Sequence, residues 1–155
     1  MSPRDRPRVL IAGGGVAALE TLLALRQLAG AQVSIELLAP ERVFVHRPSS
    51  VATPFGLGGP APLDLAEITQ HFGASLRRGS LSAVDAGHRL VVVAPTREAI
   101  PYDRLVVSVG AVPRPSVPGA ISFAGPQDAS AIEALLDAIA GGCLLYTSPS
   151  PRDRS

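Results

Sequence analysis

Apolar and polar positions change their spacing twice within the first forty residues. Val9, Leu10 and Ile11 form an unbroken apolar run, which predicts a short strand covered on both faces rather than one with a wet side. From Val16 to Leu28 the apolar residues fall at Val16, Leu19, Leu22, Leu23 and Leu28, with Glu20, Arg26 and Gln27 largely elsewhere. That is helical spacing with a single core stripe, and Gly30 stands where a helix stop is expected. "QVSIELLA" then returns to an apolar run and predicts a second strand, Val33 to Leu38. Strand, turn, helix and strand in about 30 residues make a βαβ unit, right-handed with parallel strands.

The pattern then loosens. "FVHRPSSVATPFGLGGPAP", Phe44 to Pro62, is a loop rich in Pro and Gly, of a length usually tied to function or disorder. "LDLAEITQHFG" predicts a short helix with Asp64 at its N-cap, Glu67 three residues on and Gly73 as its stop. "ASLRRGSLSAVDAGHRLVVVAPTREAIPYDRLVVSVG" is a run of short β segments broken by "DAGH" and "APTRE". Its close spacing predicts antiparallel hairpins rather than another crossover. Its last segment, Leu105 to Val109, is unbroken and apolar and is expected in the buried parallel sheet. "AVPRPSVPGA" reads as a proline-stiffened exit, and "DASAIEALLDAIAGG" as a final amphipathic helix.

Composition narrows the classes of function. The chain has 155 residues, 46% hydrophobic and 17% charged, which suits one globular domain or part of a larger one. The net charge of +1 supplies no field for nucleic acid or an anionic membrane, so no nucleic-acid partner is expected. Every basic side chain counted is Arg, a usage that reads as coding bias. No apolar run reaches the roughly 18 residues of a membrane span, and "MSPRDRPR" lacks the apolar centre of a signal peptide. A cytoplasmic protein without a transmembrane segment is the expectation. The single Cys143 excludes an internal disulfide and a CxxC pair. The three histidines are too scattered to propose a metal site. No Ser-His-Asp or paired-carboxylate arrangement can be nominated from spacing, so no catalytic residue is assigned.

The three glycines between the first strand and the first helix carry the clearest chemistry. Gly13, Gly15 and Ala18 match G-x-G-x-x-G/A, with Gly14 between the first two, in the strand-to-helix setting of the dinucleotide fingerprint. Gly13 permits a tight turn. Gly15 has no Cβ to block a pyrophosphate, and Ala18 lets the helix lie close to the sheet. The free N–H groups and positive helix end at Val16 and Ala17 then face the phosphates. The macrodipole contributes only about 0.3–1 kcal/mol per charge, so aligned N–H groups must do most of the holding. The fingerprint also asks for an acid at the end of the second strand, to take a ribose hydroxyl. Ala39 stands there, Glu36 is deeper in the strand, and Glu41 lies just beyond in "APER". Glu41 is the favoured ribose acid, with a solvated loop carboxylate as the alternative. For the glycines the alternative is a turn that binds nothing.

"VLIAGGGVAALE", "LLAPERVFVHRP" and "YDRLVVSVGAVPRPSVPGA" together resemble the FAD- and NAD(P)-binding flavoproteins of the pyridine nucleotide-disulfide oxidoreductase type. The nearest branch is that of type II NADH dehydrogenases and sulfide:quinone reductases. The resemblance runs from Arg8 to Gly142 and is most specific at Tyr102, Asp103, Gly110, Pro118 and Gly119. It implies an α/β, Rossmann-like FAD-binding domain: a parallel sheet with an inserted antiparallel β-meander. It implies that Gly110 lies beside the nucleotide and that the "HRPSS" loop approaches the flavin ring, with Arg47 and Pro48 the nearest matches. It further implies FAD as cofactor, NAD(P)H as co-substrate of the full-length protein, a quinone or other electron acceptor, and room for a homo-oligomer of the complete protein.

Three departures stand out. Ala18 replaces the third glycine, Ala39 replaces the ribose acid, and no cysteine pair follows the first helix. The last excludes dithiol chemistry for this segment. The organisation expected is an N-terminal tail (1–7), the N-terminal part of the FAD domain (8–125), and a helix (126–142) leading to an NAD(P)H-binding domain that is missing here. "CLLYTSPSPRDRS" (143–155) continues no element and is similar to translated sequencing-adapter read-through. It is expected to be a non-native or disordered tail on a truncated product. Two functional classes follow. One is the FAD-binding portion of an NAD(P)H-linked oxidoreductase; the alternative is a small nucleotide-binding Rossmann module without redox activity.

Overall fold

The computed structural model describes residues 6–111, 117 and 120–142. β1 (Arg8–Ala12), α1 (Val16–Ala29) and β2 (Ser34–Ala39) form the βαβ unit that the spacing predicts. The two strands are parallel, with Arg8 opposite Ser34 and Ala12 opposite Leu38. Gly30, at φ 54°, ends α1. Arg26 in the last turn secures that end. Its guanidinium donates to the carbonyls of Phe72 (2.6 Å), Gly30 (2.7 Å), Val33 (3.1 Å) and Gly73 (2.6 Å), which satisfies oxygens that helix ends otherwise leave unpaired.

β3 (Val43–Phe44) and β4 (Leu63–Asp64) form a short antiparallel pair. α2 (Leu65–His71) follows, capped as expected by Asp64, whose carboxylate accepts from Ala66 N–H at 2.8 Å. β5 (Ser75–Arg78) departs from the expected hairpins. It pairs in parallel with β2, Ala39 opposite Arg78, and so completes a second crossover through α2. Gly79, at φ 150°, breaks β5 from the strand after it. The close spacing of the β segments predicts hairpins, but β5 joins the parallel sheet, where Glu36 on β2 pairs with Arg77 at 2.7 Å. Arg77 and Arg78 lie on this edge strand of the sheet.

β6 (Ser80–Asp85), β7 (Leu90–Ala94) and β8 (Glu98–Pro101) form the antiparallel meander, with "DAGH" and "APTRE" at or near its turns. β9 (Arg104–Val107) then returns beside β1, also parallel, and the sheet runs β5-β2-β1-β9. The segment expected to be buried is only half so: Val107 and Val109 are 54% and 59% exposed. β9 is an edge, with a sheet neighbour on one side only among the described residues.

The unbroken apolar run of β1 is explained by its two covers. Val9 and Ile11 pack with Ala18 and Leu22 of α1, Leu65 of α2, and Ile35, Leu37 and Ala39 of β2. Leu10 and Ala12 face the other way, against Leu38, Val91, Val93 and Ile100. Helices therefore cover one face of the parallel sheet and the meander covers the other. Leu10, Ile11, Leu22 and Leu37 are fully buried, each worth about 1.5–3 kcal/mol relative to exposure.

The chain divides into two compact units, Met1–His46 with Ala61–Val112, and Arg47–Pro60 with Pro113–Ser155. In the second, the loop expected from the Pro/Gly composition holds a 3-10 segment, Arg47–Phe55, against which α3 (Ala129–Ala140) packs. Asp128, just before α3, accepts from Ala124 N–H at 2.7 Å. Most of the proline-stiffened exit, including Pro118 and Gly119, and the tail 143–155 lie outside the described residues. Among the described residues no helix is long and apolar enough to cross a membrane.

Candidate dinucleotide-binding site

The carboxyl ends of β1, β2, β5 and β9 lie along one edge of the first unit, and the glycine turn stands at β1. Gly13 has φ 134°. A Cβ on it would lie 2.7 Å from the Ser108 carbonyl carbon, 2.9 Å from Ser108 Oγ and closer still to the carbonyl oxygen. Ser108 is itself fixed, donating from N–H to Ala12 O at 2.8 Å and from Oγ at 3.1 Å. Gly13 is therefore required by the close approach of the segment after β9 as well as by the turn. Its N–H donates to Leu38 O at 2.8 Å. Ser108 was not singled out in the sequence; the signal was one hydroxyl inside the apolar run "LVVSVG".

Gly14 and Gly15 differ sharply in their surroundings. A Cβ at Gly14 would stand 3.0 Å from Ala39 Cβ and Leu65 Cδ1, and 3.6 Å from Glu41 Oε2. At Gly15 it would meet nothing within 4 Å. Gly15 is the N-cap of α1, in extended conformation, with no side-chain cap and no acid in the first turn. The first helical bond runs from Leu19 N–H to Gly15 O at 3.1 Å. The N–H groups of Val16, Ala17 and Ala18 precede it, which leaves three donors and the positive helix end beside open space. Ala18 is fully buried in the core beneath them, so its small side chain does let α1 approach the sheet.

The end of the second strand, where the fingerprint asks for an acid, is closed to a carboxylate. Ala39 is completely buried with Leu65 in the core, where an ionised carboxylate would be costly. Glu41 is exposed, yet its carboxylate reaches the glycine turn. Among the described residues it has no ion-pair partner. Its neighbour Arg42 is engaged by Asp64 at 3.2 Å. The Ala66 N–H and then Arg42 hold the Asp64 carboxyl below its ordinary range. Glu36, judged too deep, is tied to Arg77 instead.

Gly110 belongs to the same unit, at φ 76°, with nothing within 4 Å of where a Cβ would stand. Arg47 and Pro48 open the 3-10 segment of the second unit. Within that segment Ser50 is fully buried, and Ser50 Oγ and Thr53 Oγ1 have no hydrogen-bond partner among the described residues. Buried hydroxyls without partners are rare.

A parallel sheet, a glycine turn into a helix and a β-meander layer define a Rossmann-like domain of the FAD-binding type. The sequence profile described as "Pyridine nucleotide-disulphide oxidoreductase" matches residues 7–141. The chain belongs to that family.

Solved structures with the same fold include the sulfide:quinone oxidoreductase of the hyperthermophilic bacterium Aquifex aeolicus, 20% identical with a TM-score of 0.77 over 88% of this chain and 33% of that one. The ferredoxin reductase for the CYP199A2 system of Rhodopseudomonas palustris is 26% identical, with a TM-score of 0.65 over 85% and 35%. NDH2 of Plasmodium falciparum is 16% identical, with a TM-score of 0.69 over 92% and 31%. The chain thus spans about a third of the length of these proteins. A search of curated proteins gives no match.

Proposed function

We propose that the chain is the N-terminal FAD-binding portion of an NAD(P)H-linked flavoprotein oxidoreductase that passes electrons to a quinone or another acceptor. The observation that carries this reading is the pairing at the glycine turn: open space over Gly15 at a helix N-terminus with no side-chain cap, and the Glu41 carboxylate beside Gly14. Family membership supports it.

The residues fit a dinucleotide. The N–H groups of Val16, Ala17 and Ala18 donate to pyrophosphate oxygens, and Gly15 admits them to contact. Glu41 accepts from a ribose hydroxyl. Gly110 gives the backbone after β9 room beside the nucleotide. By the family resemblance alone, the loop that opens with Arg47 and Pro48 is taken to approach the flavin ring. Bound FAD supplies the hydride acceptor and the electron donor, as cofactors do in such enzymes. The chain's own part is to bind, orient and shield it.

Titrating the purified chain with FAD, followed by flavin fluorescence and by the visible spectrum, tests the reading. Weak one-to-one binding with a shifted spectrum is expected, because the chain supplies only part of the cofactor's contacts. A folded chain that binds ADP but leaves FAD free would favour the nucleotide module without redox activity.

A further inference from the structure

The Asp64 carboxylate uses its two oxygens for different partners. Oδ1 accepts from Ala66 N–H at 2.8 Å and caps α2. Oδ2 accepts from Arg42 Nε at 3.2 Å. The cap holds the carboxylate in place, so its second oxygen stands ready for the guanidinium. The backbone fixes the same approach: Leu65 N–H donates to Arg42 O at 3.0 Å, and Val43 lies opposite Asp64 in the β3–β4 pair. Both residues adjoin the glycine turn through their neighbours. Glu41 precedes Arg42, and Leu65 follows Asp64. The Glu41 carboxylate and Leu65 Cδ1 stand 3.6 Å and 3.0 Å from where a Cβ on Gly14 would be.

Glu41 has no ion-pair partner among the described residues, although the very next side chain is a guanidinium. The Arg42 side chain is 82% exposed, so packing does not hold it; the Asp64 carboxylate does. Arg78, the other arginine bonded at this loop, donates from Nη2 to Pro40 O at 2.5 Å. A guanidinium matches a carboxylate in a two-pronged fork that occupies both of its oxygens. A Glu41 so engaged would have to break that pair before accepting from a ligand hydroxyl.

We propose that Asp64 is a positioning residue for nucleotide binding: by holding the Arg42 guanidinium it leaves the Glu41 carboxylate open to a ribose hydroxyl. This rests on the reading of Glu41 as the ribose acid. The test is to titrate the full chain with FAD by calorimetry, beside Asp64→Asn, Arg42→Gln, the two combined, and Glu41→Ala, with thermal melts as a check on folding. Asparagine caps a helix about as well as aspartate, so Asp64→Asn keeps α2 while releasing Arg42. It is expected to bind FAD about three- to fivefold more weakly, the worth of an exposed ion pair that must be broken. The defect should shrink in about 0.5 M salt, which screens that pair. Arg42→Gln should bind as the wild type does, and the combined variant should regain wild-type affinity. A combined variant as weak as Asp64→Asn would assign the loss to α2 itself and overturn the proposal. Tighter FAD binding in Asp64→Asn, or weaker binding in Arg42→Gln, would show the guanidinium serving the ligand directly and overturn it as well. Wild-type affinity in Asp64→Asn with a loss in Glu41→Ala would overturn the positioning role and leave the ribose reading standing. Wild-type affinity in Glu41→Ala would overturn both.

Discussion

Replacing Gly15 by valine separates the ligand's need for space from the fold's. The new side chain meets no protein atom, since nothing lies within 4 Å of the Cβ position. The backbone there, at φ −89° and ψ −171°, is extended and suits a β-branched residue. Losing glycine as the N-cap costs only about 0.5–1 kcal/mol of stability, so the variant should fold. Binding is another matter. The valine methyl groups fill the approach to the N–H groups of Val16, Ala17 and Ala18. Hydrogen bonds from such donors to a charged group are worth about 1.5–3 kcal/mol each. Loss of two weakens binding by about 3–6 kcal/mol, roughly two to four orders of magnitude. Isothermal titration with FAD, beside a circular-dichroism melt, reads both effects. Gly13→Ala provides the contrast: its Cβ would run into the Ser108 backbone at a positive φ, so it should lower the melting temperature strongly. Undiminished FAD affinity in a folded Gly15→Val chain would refute the pyrophosphate assignment.

Three further outcomes are expected. Glu41→Ala should weaken FAD by about 1–3 kcal/mol with no change in melting temperature, because the carboxylate is exposed and without an ion-pair partner among the described residues; calorimetry showing equal affinity would make it a solvated loop acid. Arg26→Ala should cost about 2–4 kcal/mol of stability, because it strands four carbonyls at the ends of α1 and α2; chemical denaturation reads it, and a loss under the spread of repeat measurements would show that water replaces the guanidinium. The Asp64 carboxyl is held below its ordinary value near 3.8, so its contribution is present above that pH and is lost as pH falls through the lowered folded value. Melts between pH 5 and pH 2 should therefore show a smaller acid dependence in Asp64→Asn, and identical curves would remove Asp64 from the acid response.

Most of the first unit was legible because its signals are local. The apolar runs of β1 and β2, the stripe of α1, the Asp64 cap and the turns at "DAGH" and "APTRE" depend on neighbours in sequence. What was not legible depends on distant ones. β5 carries two arginines in four residues, and its place in the parallel sheet rests on Glu36, forty-one residues away. The exposure of Val107 reflects what pairs with β9, which the apolar pattern of that strand cannot report. At the site, the fingerprint exposed Gly13, Gly15 and Ala18, and counting placed Ala39 where an acid was expected. Why an acid would be costly at that position is visible only when Ala39 is seen buried with Leu65. Ser108 gave no motif at all; it acts through a close approach to Gly13 that only the folded chain brings near.

The central claim is that the glycine turn and Glu41 hold FAD. Its most direct measurement is a titration of the purified chain with FAD, competed by ADP and repeated on Gly15→Val. The account predicts weak one-to-one binding, displacement by ADP, and loss of binding in the folded variant. A folded wild-type chain whose flavin fluorescence and spectrum stay those of free FAD would contradict it.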